Sequence, residues 1–195
     1  MGKNMTIPLC PILAKYIEDE WIRLERNQIT PWAFMNTGPP FRCKDFYGKE
    51  IPYQGIGFEG SPNHVFWGRY IEPFLEDITE RTVQETINLA KDKQQKANEP
   101  LIEVSALLKA LARRTYDRMA TIDQRLLGEG FPEKITLKNV DDKFASMSNF
   151  IDQRINSELA MTKRKCSIND FYNNQPFLFW FIASILAVIL AVKKF

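Results

Sequence analysis

Residues 98–130 read NEPLIEVSALLKALARRTYDRMATIDQRLLGEG, and this stretch decides the fold. Leu101, Val104, Leu108, Leu111, Thr115, Met119, Ile122 and Leu126 recur at steps of three and four over nearly four heptads, the period of one face of an α-helix. Asn98-Glu99-Pro100 supplies a start, since a proline in the first turn lacks only an amide that has no partner there, and Gly128-Glu129-Gly130 supplies a stop. A single apolar stripe on a long helix has to be covered by other helices.

The flanking sequence provides them. Leu13, Ile17, Trp21 and Leu24 predict a helix from about Pro11 to Asn27, with Glu18, Asp19 and Arg26 on its outer face and Pro31 closing the segment. Ser61-Pro62 is a capped start for a helix from Asn63 to about Ala97. Pro73 cannot donate to the carbonyl of Arg69, so a kink is expected near Arg69–Glu72. Ile71, Leu75, Ile78, Val83, Ile87 and Ala90 mark its buried side, and Lys91–Lys96 a solvated end. A further helix opens at Asn139, with Asp141 and Asp142 in the favourable first turn and a stripe of Val140, Phe144, Met147, Ile151, Ile155 and Leu159. Helices of this length with short connections predict an all-α, antiparallel bundle over residues 1–166.

Residues 29–62 interrupt the pattern. They hold five of the nine glycines and five of the eleven prolines, which excludes a long helix. They also hold Trp32, Phe34, Phe41, Phe46, Tyr47, Tyr53 and Phe58, so the segment reads as an ordered, irregular aromatic loop packed on the helices. Within it Phe41–Phe46 and Glu50–Gln54 could pair as a small hairpin around Tyr47-Gly48-Lys49, although Pro52 removes one ladder donor.

The last segment has a different chemistry. From Phe177 to Val192 sixteen consecutive residues carry no charge and a single hydroxyl, Ser184. Sixteen helical residues span about 24 Å and the whole of Pro176–Phe195 about 30 Å, the thickness of a bilayer's hydrocarbon core. This predicts a single transmembrane helix at 176–195, joined to the bundle by a linker at 167–175. Phe177, Leu178, Phe179, Trp180, Phe181, Ile182, Ile185, Leu186, Val188, Ile189, Leu190 and Val192 would meet the lipid. Lys193 and Lys194 on one side, and Lys163, Arg164 and Lys165 on the other, would reach the headgroups. A buried core helix or a surface helix is the competing reading, but a surface helix needs a polar face and this run has none.

Charge and cysteine content narrow the function further. Lys and Arg total 26 against 24 Asp and Glu, and setting the two tail lysines aside leaves a balance. A general nucleic-acid binder needs a net basic surface, so no nucleic acid is expected as partner. Cys10, Cys43 and Cys166 stand far apart, odd in number and in no metal-ligand spacing, which suits free thiols in a reducing compartment. Met5–Ala14 superficially resembles a signal peptide, but Pro8 and Pro11 break it and Lys15 and Glu18-Asp19-Glu20 follow. Met1-Gly2 with Thr6 fits the short myristoylation pattern and Cys166 could take a palmitoyl chain; a chance match and a free thiol are the simpler readings.

Catalytic motifs are sparse. Gly55–Gly60 fits G-x-G-x-x-G, but Pro52 spoils the strand that should precede it and Pro62 follows it, so it reads as a glycine-rich turn. His64 is the only histidine, which removes paired-histidine zinc sites and leaves Cys-His or Ser-His nucleophile pairs conceivable, Cys43 being near enough in sequence to be its partner; packing or capping is its simpler role. Glu72, Glu76 and Glu80 form an acidic row that should face water, offset by Arg69 and Arg81. The chain thus reads as a non-enzymatic, single-pass membrane protein without cofactor or metal, its cytoplasmic helical domain an interaction or scaffold module for another protein or for itself. The alternative is a membrane-perturbing effector or small pore former whose bundle restrains oligomerisation of the tail, kept open by the row Ala183, Ala187 and Ala191. The basic residues flanking the run favour a cytoplasmic bundle only slightly; moving a short tail across the membrane rather than the whole domain favours it more.

Overall fold

The computed structural model describes residues 10–33, 41–53, 66–128 and 140–174. These are mostly helical: α1 (Cys10–Leu24), α2 (Thr30–Ala33), α3 (Glu72–Asp92), α4 (Asn98–Gly128) and α5 (Val140–Asn174), with strands β1 (Phe41–Lys44) and β2 (Glu50–Tyr53). The chain forms two compact units, Met1–Ile155 and Asn156–Phe195, so the second begins inside α5. The stretch read as a connector, Ser167–Gln175, is helical as far as Asn174.

All eight stripe residues of α4 are buried, and so are Ala112, Tyr116 and Asp123 on an adjoining side. The helix is therefore covered more widely than one stripe requires. Leu13, Ile17, Trp21 and Leu24 of α1 are buried as their spacing demands. On α3 and the residue before it the buried side holds Ile71, Leu75, Ile78, Val83 and Ala90, but Ile87 is only half-buried and Phe74, Thr79, Thr82 and Thr86 share the interior. Thr79, Thr86 and Thr115 satisfy their hydroxyls by donating to the carbonyls of Leu75, Thr82 and Leu111 at 2.7–2.8 Å, whereas the buried Thr82 hydroxyl has no partner among the described residues.

Helix directions follow from the cross-helix partners. Glu18 pairs with Arg114 and Glu25 with Arg118, advancing together, so α1 runs parallel to α4. Lys109 pairs with Asp152 and Arg113 with Asp141, in opposite order, so α5 runs antiparallel to α4. The α3–α4 connection is a tight reversal in which Gln94 takes φ 53°. Its neighbours close a Schellman cap, with Gln95 N donating to Ala90 O at 2.8 Å and Gln94 N to Lys91 O at 2.9 Å. Direction thus alternates along α1, α3, α4 and α5, and α3 ends at Asp92 rather than near Ala97 because this cap stops it.

Two π-turns, Glu25–Ile29 and Trp67–Ile71, each end two residues ahead of a proline, Pro31 and Pro73. A proline inside a helix offers no amide to the carbonyl four residues back and crowds it, and widening the turn relieves both faults. Glu72 N accordingly donates to Trp67 O, and Thr30 N to Glu25 O. The kink expected at Arg69–Glu72 is the second of these turns. Pro31, expected to close the first helix, is instead carried within α2.

The carbonyl that Pro73 leaves open is used. Phe46 N donates to Arg69 O at 3.0 Å, tying the β1–β2 turn to the π-turn ahead of α3, and the Phe46 ring meets Tyr70 edge-on at 5.8 Å. The strands pair antiparallel from Phe41↔Tyr53 to Lys44↔Glu50. Asp45 Oδ1 accepts the amides of Tyr47 and Lys49 at 3.0 and 2.8 Å, and Gly48 supplies φ 85°. Pro52 is tolerated because a strand in a two-stranded ribbon turns alternate amides away from its partner.

Leu108, 1% exposed in the middle of α4, should lose about 2–5 kcal/mol on change to Ala. Gln94→Gly, by contrast, should raise stability by about 0.5–1 kcal/mol, since glycine adopts the left-handed C′ conformation without strain. Thermal melts of the two variants should move in opposite directions.

Candidate functional site

The most organised surface feature of the first unit is the groove between α3 and α4, occupied by the opening of α5, Val140–Ile155. Two acid–base pairs recur on this helix eleven residues apart, Asp141 with Lys143 and Asp152 with Arg154. Eleven residues are about three helical turns, so the pairs repeat in register. Helical geometry sets the two aspartates along one edge of the buried stripe Met147, Ile151 and Ile155, and the two basic residues along the other.

Each edge meets its complement. On the α4 side, Asp152 accepts from Lys109 Nζ at 2.7 Å and from Ser105 Oγ at 3.4 Å, and Asp141 accepts from Arg113 Nη1 at 2.7 Å. On the α3 side, Lys143 Nζ donates to Glu72 at 2.5 Å and Arg154 Nε to Glu80 at 2.6 Å. Glu72 and Glu80 therefore pair with Lys143 and Arg154 of α5 rather than with Arg69 and Arg81, while Glu80 also keeps about half of its side chain in water, as expected. Arg81 is engaged elsewhere, with Asp77 at 2.7 Å, Glu20 at 3.5 Å and the Tyr16 hydroxyl.

Arg113 is more than a surface charge. The hydrogen bonds it donates to Asp141 and then to Asp117 raise its pKa and hold it cationic, and its guanidinium lies 5.6 Å from the Phe144 ring centroid. The next residue, Arg114, serves the opposite side of α4, pairing with Glu18 at 2.8 Å and lying 4.4 Å over the Trp21 ring. Arg118 extends that seam to Glu25 in the first π-turn, at 2.8 Å.

Tyr116, also on α4, stacks on Trp67 with ring centroids 5.0 Å apart and planes 9° from parallel. Burial pushes its phenol well above the ordinary value, and the charges of Glu72 and Glu76 add to the shift. Tyr16 and Tyr70 are raised in the same direction, chiefly by burial.

The groove is legible in hindsight from Asp141-Asp142-Lys143 and Asp152-Gln153-Arg154, a charge repeat that a search for apolar stripes passes over. The residues expected to meet lipid, Phe177–Val192 with Lys193 and Lys194, lie outside the described residues, as do His64 and Gly55–Gly60. Lys163, Arg164, Lys165 and Cys166 fall on the α5 backbone, Cys10 begins α1, and Cys43 is opposite Ile51 in the ribbon. Among the described residues no helix is long and apolar enough to cross a membrane, and no group of three His, Cys, Asp or Glu could hold a metal ion. Comparison with protein families, curated proteins and solved structures returns no match for the chain.

The raised tyrosines fix a pH dependence. A phenol whose folded-state pKa exceeds its unfolded value near 10 contributes stability that is intact below about pH 10 and is lost as pH climbs toward the folded-state value. Tyr116→Phe should flatten the fall in melting temperature above about pH 10, leaving the smaller slope due to Tyr16 and Tyr70.

Proposed function

We propose that this chain is a single-pass membrane protein, anchored by a helix over 176–195, whose helical domain is a protein-interaction or scaffold module on the cytoplasmic side. The observation that carries the reading is the run Phe177–Val192, sixteen residues without a charge. The balanced charge of the preceding residues speaks for a protein or lipid partner rather than nucleic acid. Ion pairs that position α5 between α3 and α4 are of the kind that gives a helical module its selectivity. No catalytic role is assigned.

A second reading, a membrane-perturbing effector or small pore former, draws on the row Ala183, Ala187 and Ala191, whose four-residue spacing would let two tail helices approach closely. Release of a trapped dye from liposomes separates the two, since an anchor alone leaves the vesicles sealed.

The full-length protein should stay with membranes through alkaline carbonate extraction, and deletion of Pro176–Phe195 should yield a soluble, folded domain. In right-side-out cells or spheroplasts added protease should leave the domain intact until the membrane is opened. Recovery of the full chain in the soluble fraction would refute the anchor, and digestion before opening would refute the topology.

A further inference from the structure

We infer that the opening of α5, Val140–Ile155, is a releasable latch, held in the α3/α4 groove by charge and able to leave it while α1, α3 and α4 remain folded. The inference is independent of the membrane reading. Its basis is the contrast between the two helices that flank the α3–α4 pair. The first, α1 with the π-turn after it, buries Leu13, Ile17, Trp21, Leu24 and Ile29, and Arg114 covers its tryptophan. The second fully buries only Met147, Ile151 and Ile155 in this unit, with Val140, Phe144 and Phe150 half-buried.

What α5 lacks in apolar area it makes up in ion pairs at both ends of the same stretch. Glu72–Lys143 and Arg113–Asp141 lie at its start, Glu80–Arg154 and Lys109–Asp152 near Ile155. Most of these side chains are substantially solvent-accessible, from 21% for Arg154 to 79% for Asp141, so dissolved salt reaches them. The pairs also fix the seat: the aspartates stand eleven residues apart on α5 and their partners Lys109 and Arg113 only four apart on α4, so sliding α5 by one turn cannot keep both pairs. An element placed by screened charges, over a small apolar stripe, has an attachment that ionic strength can tune.

The test is hydrogen exchange on the full-length protein in detergent, read helix by helix. Raising salt from about 0.05 M to about 0.5 M should speed exchange in residues 144–155 by about tenfold, with α1 and α4 nearly unchanged. Lys109→Glu, which sets two carboxylates against each other, should have the same selective effect at low salt. Adding Asp152→Lys to it should restore slow exchange. Exchange in 144–155 that ignores salt, or that rises only together with α1 and α4, would overturn the inference, as would failure of the charge swap to restore protection. The salt series needs no variant, so it decides the matter even if Lys109→Glu does not fold.

Discussion

The first unit depends on one constraint: α4 has to be covered on two sides at once. Arg113 and Arg114 mark the division, adjacent in the chain yet about 100° apart around the helix, one held by Asp141 of α5 and the other by Glu18 of α1. Between these seams α4 buries Leu108, Ala112, Thr115, Tyr116 and Met119, and the π-turn ahead of α3 covers part of the remaining side through the Trp67–Tyr116 stack. With α4 in place, the neighbouring helices have little freedom in direction or register. The paired charges select the register that the apolar stripes alone leave loosely defined.

The parts of this fold that obey a simple period are readable in the sequence. Leu101 through Leu126 on α4 and Leu13 through Leu24 on α1 are apolar at helical steps, and burial follows directly. The kink before Pro73 is readable too, because a missing amide is a property of one residue. What resists reading is anything that requires knowing the neighbour. Ile87 fits the α3 stripe yet is half-buried, while Thr82 and Thr86 lie inside, since the helix presents the side that α4 needs. Glu72 and Glu80 read as unpartnered acids in the sequence, and only the fold brings Lys143 and Arg154 opposite them.

Turn chemistry shows the same divide. Gly48 and Asp45 announce the β1–β2 turn because each has a local reason to be there, a left-handed backbone and a short side chain that caps two amides. Gln94 announces nothing, since glutamine is no signal for the left-handed conformation it adopts at the end of α3. The end of that helix is therefore set by the descent of the chain into α4. Pro31 is the reverse case, a strong stop signal overridden because the π-turn at Glu25–Ile29 absorbs it.

The hydrogen bond from Phe46 N to Arg69 O joins two backbones, and its acceptor is open because a proline stands at 73. An isolated two-stranded ribbon is marginally stable, so this link matters to its persistence. Neither atom belongs to a side chain. Residue 69 can therefore drift through most of the amino-acid alphabet while the link endures, whereas Phe46 is held by its ring contact with Tyr70, and the position that opens the acceptor is a third one, in a different element. Sequence variation at this junction should consequently look permissive at the acceptor residue and strict at Pro73, the reverse of what inspection of the contact would suggest.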